Sequence, residues 1–135
     1  MQSIPSVLVV DASVLAPVVA DDGEDGQRFR TRLAHETVVG PDLLRLEVTS
    51  VLRRHLHAGQ LTLDQASAAL ADLAEIPVRV FPSAPLLARV WGLRDNLSPY
   101  DACYVALAEA LDATLLTADI RLANAPQIQC RVEAI

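Results

Sequence analysis

Four acidic residues stand where the sequence predicts the end of a strand or the start of a helix. Asp11 follows the apolar run VLVV, and Asp119 follows the short run TLLT. Asp101 lies near the start of the helix before that second run, and Glu47 lies on the helix after the second predicted strand. A helix leading back into a parallel strand begins at the carboxyl edge of the sheet, where α/β proteins bind ligands. We therefore expect all four carboxylates on one rim.

Carboxylates gathered on one rim would repel each other, and a cation is needed to compensate them. Hard oxygen ligands without clustered His or Cys suit Mg²⁺, for which Mn²⁺ can substitute. Such an ion activates water and stabilises negative charge that builds on a phosphate oxygen. The natural reaction class for this set of residues is hydrolysis of a phosphodiester bond.

Two of the acids also have a purely structural explanation. Asp101 stands three residues after Ser98 and could be half of a capping box, and Asp119 could be a turn residue. Glu47 is harder to explain in this way, because no Lys or Arg stands three or four positions from it along its helix. The functional interpretation depends on the four residues meeting at one place.

The elements that must position these acids follow from capping and from apolar periodicity. Ser98 can cap a helix whose first residue is Pro99 and which runs to about Leu111. Predicted strands alternate with further helices, which favours a parallel sheet covered on both faces. We predict strands at 6–10, 37–39, 78–81, 114–117 and 129–135, and helices at about 24–33, 42–58 and 62–73. Shorter helices are predicted to start at Ser13 and to be capped by Ser83.

Two details of these helices are specific enough to test. Asp42 is predicted to cap the third helix, and Gly59 to end it in a left-handed conformation. His55 falls on the apolar side of the same helix and is predicted to be a core residue. No feature joins it to His35 and His57 in a metal site.

Size and charge narrow the class of protein. A chain of 135 residues is predicted to form a single domain, residues 1–135. Its net charge of −6 argues against a general basic surface for nucleic acid, although all 11 basic residues are Arg, which can hold phosphate bidentately at a local site.

No apolar run has membrane-spanning length, so we expect no membrane association and a cytoplasmic location. The two cysteines are expected to be buried thiols.

Three segments carry a resemblance to a known family. VVDASVL, LLRLEVTSVLRR and SPYDACYVALAEALDATLLTADIRL are similar, in order and spacing, to the motifs of PIN-domain nucleases, in particular the VapC-type toxins of bacterial toxin–antitoxin pairs. The resemblance covers essentially the whole chain. It implies a three-layer α/β/α PIN-like fold with a mainly parallel sheet of about five strands. It also implies a metal-dependent endoribonuclease acting on transfer or ribosomal RNA, a VapB-type antitoxin and a homodimer.

The resemblance carries over residue by residue to four acids and two hydroxyl residues. These are Asp11, Glu47, Asp101 and Asp119, with Ser13 and Thr117 as supporting positions. The first, third and fourth acids are expected to be direct or water-mediated metal ligands, and Glu47 either ligates or orients the nucleophile. Asp112 departs from the glycine usual at its turn, but aspartate tolerates a left-handed conformation.

Two other classes remain as alternatives. A catalytically silent interaction module could share the PIN fold, although all four acids are present here. A phosphoacceptor receiver domain also ends its first strand in acids, but it requires an acidic pair there and a lysine at a late strand. This chain contains no lysine.

Overall fold

A five-stranded parallel sheet forms the centre of the molecule in this computed structural model, which describes residues 7–135. The predicted sheet is confirmed, while Ser6, included in the first predicted strand, lies outside the described residues. The strand order is β3-β2-β1-β4-β5, and every neighbouring pair is parallel. The strands are β1 Val7–Val10, β2 Thr37–Pro41, β3 Arg79–Phe81, β4 Thr114–Thr117 and β5 Val132–Ala134.

Helices connect successive strands, as the alternating pattern predicts. A short 3₁₀ turn at Ala84–Leu86 leads into the fifth helix. The helices are α1 Ala12–Ala20, α2 Glu24–Leu33, α3 Leu44–His57, α4 Leu63–Glu75, α5 Leu87–Gly92, α6 Pro99–Leu111 and α7 Ile120–Ala123. None of those in residues 7–135 combines the length and apolar character that crossing a bilayer requires.

The two central strands bring distant parts of the chain together. In β1 and β4, Val9 pairs with Leu115 and Val10 with Leu116, and all four side chains are fully buried. Apolar residues on both faces are typical of a central parallel strand. Because the two strands end side by side, Asp11 directly after β1 comes next to Thr117 at the end of β4.

Helix α6 is the most deeply buried helix and follows its prediction closely. Ser98 Oγ accepts a hydrogen bond from the Asp101 backbone N–H at 3.2 Å, and Pro99 occupies the first turn. All seven residues of 102–108 are buried. Asp112 ends the helix with φ +50°, the left-handed conformation expected at this turn. Because α6 is packed tightly in the core, the position of Asp101 in its first turn is fixed.

Two predicted helix caps and one predicted core residue are wrong. Asp42 does not cap α3, which begins at Leu44; its carboxylate instead accepts a hydrogen bond from the Ser83 backbone N–H at 3.3 Å. Ser83 makes no side-chain cap either. His55 is exposed, because the buried positions Leu44, Val48 and Leu52 follow a spacing of four that continues toward Leu56. Gly59 does adopt the predicted left-handed conformation, with φ +76°.

Candidate active site

All four predicted acids line one cavity of about 500 Å³ at the carboxyl edge of the sheet. Helices α1, α3 and α6 form its walls. The remaining lining residues are Ala12, Ser13, Leu43, Leu46, Ser50, Val51, Arg54, Tyr100 and Tyr104. The structure therefore brings together residues that are up to 108 positions apart in the sequence.

Asp11 is held by hydrogen bonds on both carboxylate oxygens. Oδ1 accepts from the Ser13 backbone N–H at 3.1 Å and from Ser13 Oγ, and Oδ2 accepts from Thr117 Oγ1. Ser13 Oγ in turn accepts from the Ala118 backbone N–H at 2.9 Å, and Thr117 Oγ1 accepts from the Asp119 backbone N–H at 3.0 Å. Both predicted hydroxyl residues thus fix Asp11 and join the ends of β1 and β4.

Burial has the largest effect on the pKa of Asp11, a residue that is only 5% exposed. Desolvation raises its pKa above the ordinary value, and the negative charge of Asp101 adds to that effect. The hydrogen bonds from Ser13 and Thr117 oppose the rise because they stabilise the carboxylate. Asp11 is therefore a buried acid whose carboxylate is stabilised by the hydroxyl groups of Ser13 and Thr117 and by the Ser13 backbone N–H.

Glu47 is oriented by a residue that the sequence analysis did not single out. The hydroxyl of Tyr104 on α6 donates a hydrogen bond to Glu47 Oε1. Desolvation raises the pKa of Glu47, with smaller contributions from Asp101 and Asp11, while the Tyr104 bond lowers it. One signal could have identified Tyr104: it bears the only hydroxyl group in residues 102–108, an otherwise small and apolar segment.

A capping box does not account for the Asp101 carboxylate. Ser98 bonds to its backbone N–H, but the reciprocal side-chain bond of a capping box is absent. Partial burial raises the pKa of the Asp101 carboxyl, and the charge of Asp119 raises it further. Ser98 and Arg121 act in the opposite direction. The charged form of the Asp101 carboxyl is thus disfavoured where it lies, and its role in the helix cap does not explain why an acid stands there.

Asp119 differs from the other three acids because it has a cationic partner. Its Oδ1 accepts from the Arg121 backbone N–H at 3.0 Å and caps the short helix α7. Its Oδ2 lies 3.1 Å from the Arg121 guanidinium, which lowers the pKa of this carboxyl. Asp119 therefore has a structural role, as the cap of α7, and it also lines the cavity.

The donor set of the cavity fits a hard divalent cation. Three carboxyl groups with raised pKa values face the same space, and their neighbours are hydroxyl and carboxylate oxygens. Within residues 7–135, no three His, Cys, Asp or Glu side chains are arranged as a ready-made ligand cluster. The side chains thus match the chemistry of magnesium ligands, and water molecules would have to complete the coordination.

Comparison with known proteins agrees with this architecture. A model of the PIN domain matches residues 8–128. Ribonuclease VapC9 of Mycobacterium tuberculosis is 38% identical over 129 residues, covering 96% of this chain and 98% of the relative. The chain therefore belongs to the PIN-domain family and, within it, to the VapC ribonucleases.

Solved structures share the fold at lower sequence identity. The chain matches Mycobacterium tuberculosis VapC20, a toxin that cleaves the sarcin-ricin loop, with a TM-score of 0.67, 19% identity and coverage of 86% of this chain and 92% of the other. VapBC2 from Rickettsia felis, bound to a promoter DNA fragment, matches with a TM-score of 0.67, 15% identity and coverage of 95% and 98%. These likenesses support the PIN fold.

Proposed function

We propose that this protein is the toxin of a type II toxin–antitoxin pair and acts as an endoribonuclease on cellular RNA, with transfer or ribosomal RNA as the substrate class. The observation that carries the proposal is the cavity that Asp11, Glu47, Asp101 and Asp119 line in a chain of the VapC family. A phosphodiester placed there would meet an oxygen-rich, negatively charged wall. That environment suits metal-assisted hydrolysis.

The four acids would hold Mg²⁺, or Mn²⁺ in its place, with Asp11, Asp101 and Asp119 as the main direct or water-mediated ligands. The bound ion supplies Lewis acidity, which favours ionisation of water and offsets charge on the phosphate. Glu47 either ligates the ion or accepts a hydrogen bond from the attacking water. Asp119 would have to exchange part of its pairing with Arg121 for the ion.

The chain's own hydroxyl groups would keep this wall in place. Ser13 and Thr117 hold both oxygens of Asp11, so its carboxylate enters the reaction already oriented. The developing charge on the leaving oxygen needs a proton in the end. A water molecule would supply that proton.

A VapB-type antitoxin would inhibit the toxin, and the solved VapBC pair supports such a partner. The cavity mouth carries exposed apolar side chains, including Leu46 and Tyr100. An antitoxin segment with apolar residues and one Arg would match both this mouth and the acids behind it. We further propose that the toxin acts in the cytoplasm as a homodimer.

Asp101→Asn is the decisive test of the site. The purified variant, the wild type and an Asp64→Asn control are incubated with total RNA in Mg²⁺ and in Mn²⁺, and new 5′ ends are mapped. Asp64 is also a first-turn helix acid, on α4, but it does not line the cavity. We expect cleavage by the wild type and by Asp64→Asn only.

Two results would contradict the proposal in different ways. Cleavage by Asp101→Asn at the wild-type rate would remove the carboxylates from the reaction. A folded wild-type protein that cuts no RNA in either metal, and does not arrest growth when induced, would favour the catalytically silent interaction module.

A further inference from the structure

Arg54 on α3 stands at the junction of two cavities. It lines the carboxylate cavity, and it also lines a second cavity of about 650 Å³ between α1 and the end of α3. Ala12, Ser13 and Val51 belong to both cavities as well. Since Arg54 is exposed, its guanidinium can reach solvent at this junction. The two cavities therefore form one continuous surface with an arginine where they meet.

The hydrogen-bonding capacity of Arg54 is unused among the described residues. Most arginines of residues 7–135 donate to a carboxylate, a hydroxyl or a backbone carbonyl, or lie over an aromatic ring. The engaged arginines are Arg28, Arg30, Arg32, Arg45, Arg79, Arg89, Arg94, Arg121 and Arg131. Arg53 and Arg54 have no such partner, and of these two only Arg54 lines the carboxylate cavity.

The site needs a cation at this place if it is to hold RNA. Every nucleotide brings a negative charge toward a wall that already carries four acids, and one dication offsets only part of that repulsion. A free guanidinium presents several donors that bind phosphate oxygens bidentately. Arg121 does not serve this role, because it lines neither of the two cavities.

The second cavity offers space for the strand beyond Arg54. Its lining includes the apolar residues Ala16, Pro17 and Leu61 and the polar residues His55 and Gln60. It also includes the acid Asp21, whose Oδ1 already accepts a hydrogen bond from the Gly23 backbone N–H at 2.7 Å. Small-molecule sites of about 300–1,000 Å³ hold ligands of nucleotide size or larger, so this volume suffices for a nucleotide. A lining of apolar residues and polar groups suits a base and its edge.

We propose that Arg54 binds a backbone phosphate next to the scissile bond and directs the RNA strand from the carboxylate cavity into the second cavity. This inference rests on the proposed ribonuclease function and adds a substrate-binding residue and a strand path to it. An alternative occupant of the same surface is the antitoxin, with an acidic side chain on Arg54. RNA is favoured because Arg54 lines the cavity in which a scissile phosphodiester would have to lie.

Arg53 provides a matched control one residue away. It is exposed on the same helix and without a described partner, but it faces a separate apolar cleft between α3 and α4. Arg54→Ala, Arg53→Ala and Arg54→Lys are compared with the wild type. The steady-state KM and kcat for an RNA containing the mapped cleavage site are measured across a range of salt concentrations.

We expect Arg54→Ala to raise KM about tenfold with a much smaller change in kcat, as for the loss of a charge-assisted phosphate contact. The dependence of log KM on log salt should become shallower by about 0.7–0.9, the value for one phosphate contact. Arg54→Lys should recover part of the affinity, and Arg53→Ala should match the wild type. Equal KM and salt dependence in Arg54→Ala and wild type would overturn the proposal.

A binding assay separates this proposal from the proposed function. Two proteins are compared, Asp101→Asn and the double variant Asp101→Asn/Arg54→Ala. Their binding to fluorescently labelled bulk transfer RNA is measured by fluorescence anisotropy. Weaker binding without Arg54 supports the strand path, even if the wild type cleaves no RNA. Absent binding with Arg54 intact, or equal binding without it, overturns the path. Unchanged RNA affinity with weakened antitoxin inhibition would assign Arg54 to the antitoxin instead.

Discussion

Tyr104 on α6 donates its hydroxyl hydrogen bond to Glu47 on α3, and it lies one helical turn from Asp101 on its own helix. Residues three apart share a helix face, so α6 presents Asp101 and Tyr104 to the cavity together. The ring of Tyr104 is only 1% exposed and has no freedom to move away. The acid from α3 is therefore positioned by the same rigid helix that carries Asp101.

Tyr104→Phe should impair catalysis more than stability. The ring still fills its place in the core, and loss of one hydrogen bond costs about 1 kcal/mol of unfolding free energy. Glu47 loses its fixed orientation, and we expect a drop in kcat of about tenfold or more. Because the Tyr104 bond lowers the Glu47 pKa, its loss raises that pKa, and the acidic limb of the rate profile should move to higher pH.

Tyr100→Phe on the same helix is the control for that experiment. The Tyr100 side chain is 61% exposed, and its hydroxyl donates to no carboxylate within residues 7–135. The acidic limb of its rate profile should coincide with that of the wild type. A Tyr104→Phe enzyme with wild-type kcat and an unmoved acidic limb would show that Tyr104 serves packing alone.

The sequence predicts the central part of this fold because its signals are local and mutually consistent. β1 and β4 are short apolar runs, α6 has a serine cap with proline behind it, and α4 begins with the capping box of Thr62 and Gln65. The order of strands and helices then forces the carboxyl ends together. That is why four acids far apart in the sequence could be assigned to one rim.

What the sequence could not supply depends on contacts between distant segments. Asp42 has the residue type of a cap, but tertiary structure brings the Ser83 backbone to its carboxylate instead. The Tyr104 to Glu47 bond joins positions 57 apart, and no periodicity encodes it. Arg121 follows Asp119 closely enough to suggest a pair, yet only the turn geometry aligns the two.

The metal-free protein should lose stability as the pH rises above about 4, the ordinary carboxyl pKa. Asp11, Glu47 and Asp101 have raised pKa values, so the folded state binds their protons more tightly than the unfolded state does. Their contribution therefore favours folding at low pH and disappears as the pH rises through the folded pKa values. Asp119, Glu109 and Glu133, whose pKa values are lowered, act with the opposite sign at more acidic pH.

Urea unfolding in chelator at several pH values measures this trend. Asp101→Asn removes one of the three acids and should flatten the decline, whereas Asp64→Asn should leave it unchanged. A free energy of unfolding that rises steadily between about pH 5 and 8 would contradict the raised pKa values.

Divalent metal should stabilise the wild type, and the acids should differ in their response. An ion that binds only the folded state adds about 2.7 kcal/mol at ~100 times its dissociation constant. Asp101→Asn should hold or gain stability without metal, because a repelling charge is lost, and it should gain less from Mg²⁺. Asp119→Asn should lose a little stability without metal, because Arg121 loses its ionic partner, whereas the Asn side chain can still cap α7.

Thermal melts in chelator and in millimolar Mg²⁺ or Mn²⁺ distinguish these cases. The exposed acid Asp64 again provides a control variant, since its replacement should preserve the full metal-dependent rise in Tm. A wild-type Tm that is indifferent to saturating metal would contradict a metal site at these carboxylates.

Arg32→Ala should lower the free energy of unfolding by about 1–2 kcal/mol by releasing the edge strand β5. The Arg32 guanidinium holds Glu133 of that strand through two bonds of 2.7 and 2.8 Å, and it also pairs with Glu36 at 3.0 Å. Glu36 already has one buried oxygen without a partner among the described residues, so losing Arg32 leaves its carboxylate unpaired. Arg28→Ala breaks an exposed 3.4 Å pair with Asp25 and a contact of the guanidinium with the Phe29 ring, 5.2 Å from its centroid, and should cost less than about 1 kcal/mol. Equal urea midpoints for the two variants would mean that the bridge to β5 contributes nothing to stability.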